Sequence, residues 1–110
     1  MLRPETVDLM ASDGIGPRQS GGWQAADPLL THAGEFLPGT PKGWGLTFQI
    51  ARADVPGGRR AGSLAWAGLG NLYFWIDRAT GIGGFWGTQL LAILHRTKWL
   101  HGYFLKVWSL

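Results

Sequence analysis

A chain of 110 residues with 45% apolar and 15% charged side chains holds at most one domain, buries a limited core and is far from the composition of a disordered polypeptide. Cysteine is absent, which excludes disulfide staples, zinc ribbons, iron-sulfur ligation and a thiol nucleophile together. The formal charge of +3 resides in the tail: residues 1–89 balance seven acids against seven bases, and Arg96, Lys98 and Lys106 follow with no acid.

Pro4 suits the first position of a helix, Glu5 and Asp8 favour its positive end, and Val7 and Met10 with Leu2 form an apolar stripe. A short helix is therefore expected to open the chain and to stop at Asp13-Gly14. The same segment contains no apolar run of signal-peptide length, which makes the cytoplasm the default location. Residues 14–42 carry glycine and proline throughout with no sustained periodicity, so they read as a long irregular connection. A structureless stretch of that length makes better sense wrapped over a larger body than inside a free-standing fold.

From Gly43 the pattern changes to period two, with Trp44, Leu46, Phe48 and Ile50 on one face, and predicts a half-buried strand running to Ala51. The glycine-rich reversal at 55–60 leads to a second strand over Ser63–Ala67, antiparallel to the first. Asn71–Ile76 is nearly all aromatic or aliphatic, as a strand covered on both faces would be, and needs two partners. A turn over Asp77–Gly81 precedes a fourth strand over Ile82–Leu90. The tail from Leu91 to Trp108 places Leu94, Leu100, Phe104, Val107 and Trp108 near one helical face with Leu90. The fold class is α+β: an antiparallel β-meander with a short N-terminal helix and a C-terminal helix. Residues 1–110 form a single partial domain, divided into helix and connection (1–42), strands (43–90) and amphipathic tail (91–110). The weakly polar stretch Ile82–Leu94 is too short to span a membrane, so no transmembrane segment is expected.

Most chemical motifs fail on spacing or context. Gly81-Ile82-Gly83-Gly84 lies between strands and has Trp86 where a dinucleotide loop needs glycine. His32, His95 and His101 are not at ligand spacing, and no metal or cofactor is expected. Tyr73-Phe74-Trp75 could stack on bases, but a nucleic-acid platform interleaves basic residues with its aromatics, and only Asp77 and Arg78 stand nearby. Core packing is the stronger reading, and no nucleic-acid partner is expected.

One resemblance is more specific. The run Gly62-Ser63-Leu64-Ala65-Trp66-Ala67-Gly68-Leu69-Gly70-Asn71-Leu72-Tyr73-Phe74-Trp75-Ile76-Asp77 resembles the carboxy-terminal sheet of the serine β-lactamase-related hydrolases, the group of class C β-lactamases and family VIII esterases. Gly43-Trp44-Gly45-Leu46-Thr47-Phe48 resembles the preceding strand, Pro4–Met10 the short helix before it, and Gly81 to Leu90 the strand that follows, all in the family's order. The resemblance implies a β-lactamase/transpeptidase-like fold in which an SxxK serine acylates, its lysine and a YxN tyrosine move protons, and a third box on a strand closes the site. Trp66-Ala67-Gly68 would be that box in its esterase-like WxG form, with the Leu69 N–H as an oxyanion donor and Gly68 admitting substrate to the strand. The neutral Trp66 in place of a cation points to an ester more than to a β-lactam. Ser12, Ser20, Ser63 and Ser109 lack lysine three residues on, and Tyr73 and Tyr103 lack asparagine two residues on, so the chain has no catalytic residue of its own. Past Leu91 the sequence departs from the family, as a frameshifted or substituted tail would.

The expectation is a carboxy-terminal part of a serine β-lactamase-like hydrolase, inactive alone, whose parent acts on a small-molecule ester or β-lactam and whose partner would be a missing N-terminal hydrolase segment. The alternatives are a small binding module, with its aromatic sheet and basic tail on a membrane or an RNA, and a non-functional remnant.

Overall fold

The computed structural model describes residues 1–29 and 33–88. Helix α1 covers Pro4–Met10, and five strands follow: β1 Lys42–Trp44, β2 Gln49–Ala51, β3 Leu64–Gly68, β4 Leu72–Asp77 and β5 Ile82–Trp86. Each strand pairs antiparallel with the next, and their order in the sheet is their order in the chain, the meander expected from the sequence. The tail helix expected over Leu91–Trp108, and the fourth strand beyond Thr88, lie outside the described residues.

Pro4 occupies the first turn of α1 with Glu5 beside it, and Arg3 precedes the helix in an extended conformation without a side-chain cap. Seven residues make a helix too short to stand by propensity alone. Its support is tertiary: Val7 and Met10 are half-buried, and Arg78, in the turn after β4, forms an ion pair with Asp8.

The single strand expected over Gly43–Ala51 is instead a hairpin. Trp44 pairs with Gln49, and Leu46 and Thr47 stand at the tip. The Gly45 N–H donates to the Phe48 carbonyl at 2.8 Å, and the Leu46 N–H donates to the Met10 carbonyl at 3.3 Å. A β-carbon at Gly45 would collide with the Met10 carbonyl oxygen and stand 3.0 Å from that of Ser12. The end of α1 thus packs directly against the hairpin tip. Period-two apolarity cannot distinguish one strand from two short ones folded about a tip that leaves Leu46 65% exposed.

The outer side of β1 is closed by the chain that precedes it. The Gly14 N–H donates to the Trp44 carbonyl at 2.8 Å, the Ser20 N–H donates to the Lys42 carbonyl at 2.9 Å, and the Gln19 side-chain oxygen accepts from the Lys42 N–H at 3.3 Å. Farther along, Trp23 and Gly34 exchange backbone hydrogen bonds in an isolated bridge. The described part of the connection is therefore irregular, as expected, but it lies on this chain's own sheet.

The core is small and strongly polar. Ile50, Ala51, Val55, Leu64, Ala65 and Trp75 are buried, and so are Lys42, Gln49, Arg59, Ser63, Asn71 and Asp77. Two of these polar groups act as staples. The Lys42 ammonium donates to Glu35 Oε1 at 2.7 Å and to the carbonyls of Leu37 and Thr40 at 3.0 and 3.1 Å, which binds residues 35–40 to β1. The Asp77 carboxylate accepts from the N–H groups of Arg60, Ala79 and Thr80 at 2.9, 3.1 and 3.2 Å, holding two turns at the foot of β3 and β4. Arg59 is less well served: its Nη1 is buried without a hydrogen-bond partner, and burial lowers its pKa to about 10 against the attraction of Asp77. Strand β4 has the two partners expected of it but is not covered on both faces, because Leu72 and Ile76 remain exposed.

Two outcomes follow. Gly45→Ala forces the hairpin tip off α1 and is expected to cost about 1–3 kcal/mol in urea unfolding, as overpacking does, whereas Gly21→Ala, with open space around it, serves as the near-neutral control. The Arg52 hydrogen bond lowers the pKa of Asp13, the Ala61 N–H and Arg60 lower that of Asp54, and the bonds from Arg60, Thr80 and Ala79 outweigh burial to lower that of Asp77. Carboxylates held below the ordinary value of 3.8 stabilise the fold above it and lose that contribution as pH falls through their lowered values. The urea midpoint is expected to drop below about pH 4, and to drop less steeply in Asp77→Asn.

Candidate active-site strand

Strand β3 is longer than the strand beside it. β2 pairs only with Leu64 and Ala65, whereas β4 pairs with all five β3 residues, down to Gly68 opposite Leu72. From Trp66 to Gly68, then, the β2 side of β3 has no described strand along it. The residues singled out from the sequence, Trp66, Ala67, Gly68 and Leu69, occupy this half-open end and the turn that follows it.

Aromatic contacts hold the first of them. The Trp66 indole meets Trp44 edge-on, with ring centroids 4.4 Å apart, and meets Phe36 at 5.7 Å; Phe36 also touches Tyr73 at 5.9 Å and Trp23 at 5.1 Å. Trp66 is thereby fixed by both β1 and the connection while 37% of it stays exposed. Ala67 is half-buried and Gly68 exposed. A β-carbon at Gly68 would find only the Leu72 side chain, at the ordinary contact distance of 3.7 Å. Packing within the described chain therefore does not require glycine at this position, and the space beside it is open.

The turn over Leu69-Gly70-Asn71 is a three-residue hairpin loop closed by a left-handed residue, Asn71 at φ 56°. Asparagine tolerates this conformation, and its buried side-chain oxygen accepts from the Tyr73 hydroxyl at 2.9 Å. Thr88, just beyond β5, donates its hydroxyl to the Gly70 carbonyl at 2.9 Å and latches the turn from the other side. Leu69 stands at the exposed tip, and its N–H donates to no described residue. Reading the sequence missed the parts played by Asn71, Thr88 and Phe36. Asparagine ending a Leu-Gly-Asn loop between two apolar runs was the available signal for the first; the other two act through contacts between segments distant in the sequence.

The described residues contain no activated nucleophile. Ser12 donates its hydroxyl to the Leu9 carbonyl at 2.7 Å, Ser20 accepts from Gln49 at 2.8 Å, and the Ser63 hydroxyl is buried without a hydrogen-bond partner. Lys42, the described lysine, spends its ammonium on Glu35 and two carbonyls. Burial raises the Tyr73 pKa, which keeps its hydroxyl a donor to Asn71 and unfit as a base near neutrality. Among the described residues no group of three His, Cys, Asp or Glu side chains could hold a metal, and no helix is long and apolar enough to cross a membrane. His32, His95, His101 and Ser109 lie outside the described residues.

No protein-family profile matches the sequence, and no curated protein matches it. Two solved structures of simvastatin synthase (LovD) from Aspergillus terreus resemble the fold. The unliganded selenomethionyl enzyme is 27% identical over 81% of this chain and 24% of its own, with a TM-score of 0.60. The LovD9 mutant is 21% identical over 98% of this chain and 28% of its own, with a TM-score of 0.65. The chain thus spans about a quarter of the length of either protein. Its five-stranded antiparallel sheet with one short helix resembles part of the β-lactamase-like fold of LovD.

Proposed function

We propose that residues 1–110 are a single partial domain of a serine β-lactamase-like hydrolase, supplying the sheet and the oxyanion-side strand of an acyl-transfer site whose nucleophile and base belong to another segment. The observation that carries this reading is the open end of β3, where an uncrowded Gly68 and the Leu69 N–H stand together past the last residue paired to β2. Acyl transfer places negative charge on a carbonyl oxygen, and a preorganised N–H near 3 Å from that oxygen stabilises it by roughly 2.7–4 kcal/mol. In this reading Leu69 gives one such donor, the absent serine's own N–H gives the second, Gly68 and Ala67 admit the acyl group, and Trp66 forms an apolar wall.

Trp66 also selects the substrate class. A penicillin or cephalosporin presents a carboxylate that calls for a cation, and an indole held by Trp44 and Phe36 offers none. A neutral ester suits it better. Alone, the chain is predicted not to turn over p-nitrophenyl esters or nitrocefin beyond the buffer rate. Hydrolysis by the purified chain that a serine-directed fluorophosphonate abolishes would overturn this assignment. Sequencing the flanking DNA is the complementary measurement: an SxxK and a YxN are expected upstream, and a family-like continuation past Leu91 in another reading frame. A second reading, a small interaction module, draws on a different observation: Ile82 and Phe85 of β5 stand 55% and 73% exposed.

A further inference from the structure

We propose that Lys42 is a positioning residue for the end of β3: by gripping the chain on both sides of Phe36, its ammonium holds that ring against Trp66. That Trp66 walls an acyl-transfer site rests on the function proposed for this strand, whereas the link from Lys42 to Trp66 rests on contacts alone.

The grip starts from the sheet. Lys42 opens β1, pairs with Ala51 of β2, and has its own N–H and carbonyl bonded to Gln19 and Ser20. Its side chain is 3% exposed, and an ammonium buried so far is tolerable only with its donors matched. The three acceptors are Glu35 Oε1 and the carbonyls of Leu37 and Thr40. Two of them, on residues 35 and 37, flank Phe36, whose ring meets Trp66 of β3 and Tyr73 of β4 edge-on.

The loop does not keep this shape through its own preferences. Leu37 stands at φ 47°, in the left-handed region that a bulky side chain disfavours. A residue stays there when its surroundings over-determine it, and the Leu37 carbonyl accepts from both the Lys42 ammonium and the Thr40 N–H. Without the cation, one of those two bonds is lost and the half-exposed Glu35 is free to turn to water. Leu37 then relaxes, Phe36 leaves, and Trp66 keeps Trp44 as its aromatic contact.

Fluorine NMR of the full chain labelled with fluorotryptophan tests this, with signals assigned through Trp66→Phe and Trp75→Phe. Lys42→Met is expected to shift the Trp66 signal towards its position in Phe36→Leu and to leave that of the buried Trp75 in place. The double variant is expected to show no further shift at Trp66, the non-additivity of two residues acting through one contact. A general loosening of the fold would instead move Trp75 as well and add to the effect of Phe36→Leu. Glu35→Ala acts at the half-exposed end of the grip, so it decides the matter if Lys42→Met fails to fold, and it is expected to move the Trp66 signal part of the way. A Trp66 signal indifferent to Lys42→Met or to Glu35→Ala, a shift shared with Trp75, or additive shifts in the double variant would overturn the proposal. None of these signals depends on hydrolysis or on a flanking segment, so the two proposals fail separately.

Discussion

The contact between the end of α1 and the β1–β2 hairpin is the constraint on which the near end of the sheet depends. The Leu46 N–H donates to the Met10 carbonyl, and the Met10 and Ser12 carbonyls occupy the space beside Gly45 that a side chain would need, so the hairpin tip seats on α1 only with glycine there. β2 is three residues long and stops pairing at Ala65. The second half of β3, which holds Trp66, Ala67 and Gly68, has β4 on one side and no described strand on the other.

Stability comes from polar fasteners as much as from burial. Lys42 binds three acceptors in residues 35–40, Asp77 binds three donors from two turns, and Arg52 bonds Asp13 at 2.6 Å to tie the exit of α1 to the end of β2. Such groups are costly to bury and worth keeping only when fully matched. Arg59 and Ser63 are the counterexamples, since both are buried at the foot of β3 with a polar atom unmatched. A sheet with so few buried apolar side chains and large exposed ones such as Leu72, Ile76 and Phe85 has little surplus stability.

The half-site proposed for this chain is chemically distinct from a weak active site. The oxyanion donor of that proposal, the Leu69 N–H, is a backbone group whose position follows from the Leu69-Gly70-Asn71 turn, and it needs no nucleophile near it to stay in place. A nucleophile needs a base within hydrogen-bond reach, and each described serine is instead engaged elsewhere or buried.

Much of the architecture was legible in the residues. Pro4 with Glu5 marks the helix start, the glycine-rich reversal at 55–60 and Leu-Gly-Asn at 69–71 mark two turns, and the apolar runs between them are strands because neighbours in the chain pair locally. Trp66-Ala67-Gly68 was likewise recognisable as a candidate from its neighbours in sequence. Tertiary structure alone decided the rest. That Gly43–Ala51 turns back on itself shows only in the pairing of Trp44 with Gln49; that Trp66 is held depends on Phe36 and Trp44; that β4 buries Trp75 and Asp77 but leaves Leu72 and Ile76 exposed shows only in the folded chain. Periodicity records which side chains are apolar, but which of them are covered is settled by contacts between distant segments, and those are invisible to any short window of sequence.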